Sequence, residues 1–497
     1  MFLEKQVRAD DRRLQIVYGH FKRNLEDIYL TANKSGAKVI ACTLGSNLKD
    51  CPPFASLHRT DLTAAEKTKW DTIYQQGTNF ETECRYKEAM EKYLAAAEID
   101  SSYADLQFRL GRCYWNMAEY EKAKDSYVKA RQQDTLRFRP DKQTNETIRR
   151  AAGDMAGKGV YLVDTADAFE ENSPHGITGE ELFYEHVHLN FKGNYLLAKT
   201  VFEQTEKLLP DCVKKQKIAN QPLLTEDECA QYLAYTDWDR YNIAEEMLYG
   251  FIKKAPFTGQ LYHDQQVREM EQALESLKKT CFTAESLEQS AVQYRYAIEK
   301  DPADWQLRWK YGRLLSEELK SYWAAAEQYR LVKSYLPNSH IGYFHLGKVL
   351  GPLKETDAAI ANFLQAIRIK PTSADLHYNL AMLYDISGMS EKKAAEYYTN
   401  TLRFNPNHSP AYLRLGTLLY RQGKMDQAIE VFRKGLVFDP NNTEFYRNLG
   451  VVLKSKGRSN EAIEALQAYL RIDPNSAEIR KELKAMLKEQ GQANTLP

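Results

Sequence analysis

Identities recurring 34 residues apart constrain this chain more than any other feature: Gly77 returns as Gly111, Ala89 as Ala123, Tyr93 as Tyr127 and Ala96 as Ala130. A period of that length holds two short helices and their turns, the unit of a helical repeat protein. Small residues at fixed places let two antiparallel helices approach closely, and the aromatic residues fill the space left between one pair and the next. A longer run follows. Gly312, Gly347, Ala381, Gly416 and Gly450 take the tight position of the first helix. Ala325, Ala359, Ala394, Ala428 and Ala462 take the crossing position of the second, followed four residues on by Tyr329, Phe363, Tyr398, Phe432 and Leu466. Pro337, Pro371, Pro406, Pro440 and Pro474 close the units, because proline cannot continue a helix.

This pattern resembles the tetratricopeptide repeat family. It predicts a mainly α-helical solenoid with a pair of repeats at 70–137, a degenerate unit at 271–304 marked by Tyr294, Ala297 and Pro302, five repeats at 305–476, and a capping helix with tail at 477–497. The first helix of the degenerate unit is expected within EMEQALESLKKT. Arrays of this family bind partners on the surface lined by the first helix of each pair. The register there selects Trp309, Arg313, His345, Lys348, Tyr378, Asn379, Arg414, Tyr420, Arg421, Arg447 and Asn448 as the candidate face for a protein or peptide. Taken singly, such side chains are more often plain solvated helix faces. The lysine and asparagine pattern with which some members clamp a C-terminal carboxylate is absent. Asn379 and Asn448, at equivalent positions, could hydrogen-bond an extended peptide backbone.

A different grammar surrounds the first repeat pair. SGAKVIACTLGSNL reads as a helix end, a short buried strand at Val39 to Thr43 and a loop, and TNETIRRAAGDMAGKGVYLVDTADAF repeats the plan with a strand at Val160 to Val163. Helix and strand in alternation imply a parallel sheet, so the repeats at 70–137 are an insertion after its first strand. Ligands of open α/β sheets bind where strands end, which directs attention to Asn47, Asp50, the Cys51-Pro52-Pro53-Phe54 loop and the segment FYEHVHLNFKGNYLLA at 183–198.

That segment, with Glu185, His188 and Gly193, resembles the last conserved block of SGNH (GDSL-like) esterases and acyltransferases. The resemblance implies a partial three-layer α/β domain over 1–65 and 138–212, joined to the second array by a helical connector at 213–270. It also implies His188 as general base and Glu185 as its orienting carboxylate, the family using Asp at that place. The family's serine and oxyanion-hole residues have no counterpart, since the chain opens on a helix that should follow the third strand, and Ser46 stands after the wrong strand. The pair is therefore expected to be a catalytic remnant. The strings NLKDCPPFASLH, LGRCYWNM and FYEHVHLNFKGNY extend the resemblance to a bacterial family in which an SGNH-like domain carries tetratricopeptide insertions. Full-length relatives with an upstream membrane anchor are expected, which would make Met1 an internal methionine of a longer reading frame. By strand alternation His186 should point away from His188, and a metal site on the two histidines lacks a third ligand of suitable spacing. No metal and no cofactor is expected.

Composition closes off other classes. Lys plus Arg (68) equal Asp plus Glu (68), so no long-range field favours nucleic acid or an anionic membrane. The N-terminus has no signal-peptide apolar core and no window approaches a membrane span, so the chain is expected to be soluble as given, with no address signal. Seven cysteines form no Cys-x-x-Cys pair and are expected to be mostly buried thiols. A half-sheet with an uncovered edge is expected to be marginal or completed by self-association. The expected function is a protein-interaction scaffold with an inactive hydrolase-like part. An ester hydrolase or O-acyltransferase is the alternative, should a missing segment supply the serine.

Overall fold

The computed structural model describes residues 4–214 and 222–489. Parts of the connector expected at 213–270 and of the tail at 477–497 lie outside the described residues. The chain divides into two compact units, 1–286 and 287–497.

The first unit contains a small α/β element. Helix α1 (Arg13–Lys34) leads into strand β1 (Val39–Cys42). Four helices follow, α2 (Ala64–Thr82), α3 (Tyr86–Ile99), α4 (Ala104–Asn116) and α5 (Tyr120–Gln133), before α6 (Lys142–Asp154) and strand β2 (Val160–Val163). The two strands are parallel, with Val39 opposite Val160 and Cys42 opposite Val163. Among the described residues the sheet has these two strands only, and β1 stops one residue short of the predicted Thr43. Tyr29, Ile148, Ala151 and Ala152 of α1 and α6 pack on Ala41 and Val160. Two further helices follow, α7 (Thr165–Glu171) and α8 (Phe191–Leu208). Cys42 faces a cavity of about 920 Å³ that is walled by Phe138, Phe169, Phe183, Leu197 and Val201.

The helices between the strands are two hairpins, α2 with α3 and α4 with α5. A Cβ on Gly77 would stand 2.5 Å from the Tyr93 ring, and one on Gly111 2.7 Å from the Tyr127 ring. Here glycine lets the second-helix ring lie flat against the first-helix backbone. The capping box of Thr63 and Glu66 fixes where α2 starts. The helix His263–Cys281 spans the segment expected to open the degenerate repeat. It packs against Asp237–Glu245 within the first unit, whereas Tyr294 and Ala297, further along the 271–304 stretch, lie in the second.

In the second unit the helices Trp305–Arg313, His340–Leu350, Ala374–Ser387, Ser409–Arg421 and Thr443–Ser455 are the first helices of five hairpins, each followed by its partner. The same glycine-to-ring contact recurs at Gly312 and Tyr329 (2.6 Å) and at Gly416 and Phe432 (2.4 Å). The helix Ala477–Glu489 buries Ile479, Leu483, Met486 and Leu487 against the last hairpin, as a cap should.

The expectation of mostly buried thiols is corrected. Cys51, Cys113 and Cys281 are buried, but Cys84 and Cys212 are exposed and Cys42 and Cys229 lie between. Both exposed cysteines sit outside the apolar faces: Cys84 follows the end of α2, and Cys212 follows the end of α8.

Candidate binding face and the histidine turn

The turn that carries the two histidines is made by local hydrogen bonding. Phe183 and Leu189 form an isolated antiparallel bridge, and the Tyr184 N–H donates to the His188 carbonyl at 2.8 Å. Glu185, 2% exposed, fills the loop between them. Its carboxylate accepts the backbone N–H of His186 at 2.5 Å and that of His188 at 2.8 Å, and it bonds to Nδ1 of the His188 ring. Asn190 caps α8 by accepting from the Gly193 N–H at 2.9 Å. Gly193 is required by a close approach, since a Cβ there would stand 2.2 Å from the Leu182 carbonyl oxygen. The motif read from Glu185 to Gly193 is thus one structural device, holding an imidazole on a buried carboxylate at a helix start.

The His188 side chain is 51% exposed, with one edge against Phe251 (5.3 Å between centroids). Among the described residues its ring bonds to Glu185 and to no hydroxyl. Ser46 is 2% exposed and its Oγ accepts from Arg131 at 3.3 Å. The other loop residues singled out in the sequence do gather here. The Asn47 N–H donates to the His186 carbonyl at 3.0 Å, and buried Arg139 donates to the carbonyls of Asn47 and Cys51. Asp50 accepts the Glu180 N–H at 2.8 Å.

His186 departs from the alternation expected of it. The segment is a turn and not an extended strand, so its Nδ1 also meets the Glu185 carboxylate, while its ring packs edge-on to Phe54 and Phe257. Burial, then the charges of Arg139 and His188, push its pKa down to about 4, so the ring is neutral at neutral pH. Glu185, His186 and His188 bring potential ligand atoms within 4.8 Å of one another. A third ligand for the histidine pair is therefore at hand, in the carboxylate that sequence reading had reserved for orienting His188.

On the face of first helices in the second unit, the predicted residues divide into two sets. Several are bound to neighbours in the fold. Arg313 pairs with Glu317 at 2.9 Å, Arg447 with Glu478 at 3.0 Å, and Arg421 with Asp385. Tyr420 and Ser455 hydroxyls lie 2.8 Å apart. Trp309 and Tyr329 rings enclose His345, and burial, with Lys348, Arg313 and His340 nearby, lowers its pKa to about 3. Tyr378 packs between Tyr398 and His408. The second set faces outward: Lys348 and Arg414 are exposed and Asn448 is half-buried. Asn379 donates its amide N–H to the Asp375 carbonyl at 2.8 Å, leaving its Oδ1 as an acceptor. Lys348 and Asn379 line one cavity of about 450 Å³, with Met382 and Ile386. Sequence reading passed over those two apolar residues, because on an exposed helix they read as ordinary surface.

A family described as "TPR repeat" matches residues 353–385 and 416–457, and one described as "Tetratricopeptide repeat" matches 104–130 and 443–476. These hairpins are tetratricopeptide repeats. Both the inserted pair and the second unit carry matches. A curated relative, the "BBSome complex member BBS4" of Bos taurus, is 29% identical over 137 residues, covering 27% of this chain and 26% of that protein. The chain thus spans about a quarter of that relative's length. Solved structures that resemble it include YrrB, described as a TPR protein with an unusual peptide-binding site (23% identity, 38% of this chain and 97% of that one, TM-score 0.33). MamA (25% identity, 32% and 92%, TM-score 0.30) and PilF of Pseudomonas aeruginosa (20% identity, 42% and 95%, TM-score 0.34) are others. Among the described residues no helix is long and apolar enough to cross a membrane.

Proposed function

We propose that this chain is a protein-interaction scaffold that holds a protein or peptide along the first helices of its second repeat unit. The observation that carries this reading is the cavity of about 450 Å³ between two consecutive first helices, reached by the predicted residues Lys348 and Asn379. Exposed Arg414 and half-buried Asn448 continue the face beyond it. The bovine relative is named as a complex member, and assembly is the same class of role. Photo-crosslinking tests the reading. A crosslinking amino acid at position 414 or 448 should capture bound synthetic peptides, and one at the 75% exposed Val437 on a second helix should not. Equal or stronger capture at 437 would reverse the assignment.

Within the same proposal, residues 1–65 and 138–212 are the closing part of an SGNH-like hydrolase whose nucleophile is absent, with the first repeat pair inserted into it and a helical connector following at 213–270. The Glu185–His188 pair favours one alternative, an ester hydrolase or O-acyltransferase. A serine supplied by another segment would give its proton to the exposed imidazole and attack the ester carbonyl; the ester C–O bond breaks, the alcohol leaves with the proton returned by the imidazolium, and the acyl-serine passes its acyl group to water or an acceptor hydroxyl. A serine-reactive fluorophosphonate separates the two: the scaffold stays unlabelled, and stoichiometric labelling lost in His188→Ala would establish the enzyme. Self-association through the open edge of β1 would show as a concentration-dependent mass in sedimentation.

A further inference from the structure

The cavity on the first-helix face has a chemistry of its own. It opens between the C-terminal ends of His340–Leu350 and Ala374–Ser387. Phe363, Met382, Leu383 and Ile386 form its wall, and Lys348 and Lys354 stand at its rim. Ile386 is 71% exposed and Met389, nearby in the chain, 52%, so an apolar surface is left in water beside a space large enough for a bulky side chain.

Two unpaired cations meet at this rim, whereas most cations along the rest of the face are paired and exposed Arg414 is, among the described residues, the one unpaired cation of its helix. Arg313, Arg421, Arg447 and Lys454 are each neutralised by a carboxylate of the fold. Lys348 and Lys354 are both exposed, and among the described residues neither has a carboxylate at ion-pairing distance. The Lys348 ammonium lies 5.8 Å from the Phe344 ring centroid. Lys354 holds a left-handed backbone conformation (φ 62°) in the turn after the helix. Both cations sit at a helix C-terminus, where the dipole favours them, but that accounts for their placement and leaves their outward charge unspent. Asn379, also in the lining, has its Oδ1 unbonded.

We infer that this cavity takes a bulky aliphatic or aromatic side chain from an acidic peptide segment, whose carboxylates pair with Lys348 and Lys354 while Asn379 Oδ1 accepts a peptide N–H. The inference rests on the reading of the first-helix face as the binding face, and it names the partner's chemistry: an apolar anchor flanked by Asp or Glu.

Fluorescence anisotropy on the full chain tests it with three labelled twelve-residue probes: an acidic peptide with a central Leu, the same peptide with that Leu replaced by Ser, and one with its acids replaced by Lys. The acidic Leu probe should bind, more weakly as salt rises. Loss of the anchor should weaken binding about tenfold or more, the effect of one buried apolar side chain. The double variant Lys348→Glu, Lys354→Glu should weaken the acidic probe by about tenfold or more and admit the basic one, and Ile386→Ser should act like loss of the anchor. All three positions are exposed, so melting should fall only slightly, by the small helix-dipole cost of reversing the two charges, and a melting curve on each variant checks the fold. If the acidic probe binds but none of these variants alters it, this cavity is not the site, and the scaffold reading survives on the crosslinking result. A preference for the basic probe, or binding of none of the three, overturns the inference.

Discussion

Replacing Glu81 by alanine should destabilise the first unit by about 3–5 kcal/mol, the usual cost of removing one partner of a buried ion pair. The Glu81 side chain is 5% exposed and that of Arg109 14%. Arg109 Nη1 donates to Glu81 Oε2 at 2.6 Å, as does the Tyr93 hydroxyl, also at 2.6 Å, and the Tyr262 hydroxyl donates to Oε1. Without the carboxylate, Arg109 keeps the Tyr74 and Tyr262 hydroxyls at 2.8 and 3.1 Å, which are neutral. A guanidinium then stays in the interior with no counter-charge, and that term outweighs the two lost tyrosine bonds, worth about 1 kcal/mol each. Urea unfolding followed by near-ultraviolet circular dichroism reads the loss as a drop in midpoint of about 1 M or more, given slopes of ~1–3 kcal/mol/M. The double variant Glu81→Ala, Arg109→Ala should recover part of it, because the more buried of the two stranded charges is gone, while Arg112, 27% exposed and 3.6 Å from Glu81 Oε1, can turn to solvent. A single-variant loss under about 1 kcal/mol, or no recovery in the double, would refute the reasoning and mark the pair as a surface-like bridge.

Two further outcomes follow from packing and from burial. Gly416→Ala places a Cβ 2.4 Å from the ring of Phe432, itself 1% exposed. The overpacking cost of about 1–3 kcal/mol should exceed the ~1 kcal/mol gained in helix propensity. Gly347→Ala meets Phe363 only at 3.1 Å and should come out near neutral, so denaturant unfolding should rank the two in that order. His345 should make the second unit acid-sensitive. Its pKa of about 3 in the fold lies below the ~6.5 of a free imidazole, so the unfolded chain takes the proton first. The stability from keeping the ring neutral is whole above about pH 6.5 and is lost as pH falls from there toward about 3. Melting curves at pH 7 and pH 5 should separate for the native chain and converge for His345→Phe.

The repeats were legible because every signal they need is local. Gly416 and Phe432 lie 16 residues apart in one hairpin, and the prolines mark the ends of the units, so spacing alone placed both. Local helix and strand patterning also found β1 and β2, whereas the device from Glu185 to Gly193 was singled out only by its likeness to a known family. It failed on His186, because the alternation argument assumes an extended chain and the Glu185 carboxylate bends this one. It missed Gly435, which accepts the Phe445 ring from the following hairpin at 2.3 Å from a would-be Cβ, because that contact crosses between repeats. Register places Arg313, Arg421 and Arg447 on the candidate face but cannot show that each is held by a carboxylate of the fold.

By itself the sequence determined the two-helix repeat and the buried rings and small residues that let the helices close, since these depend on contacts a few turns apart. Only the tertiary structure decided which charges on the first-helix face remain unpaired, where a cavity opens between neighbouring hairpins, and that Glu81 of the inserted pair meets Tyr262, separated from it by 181 positions. The physical reason is the same throughout. Periodicity encodes which side of a helix is buried, but the neutralising of a charge or the filling of a gap depends on a partner that chain distance does not specify.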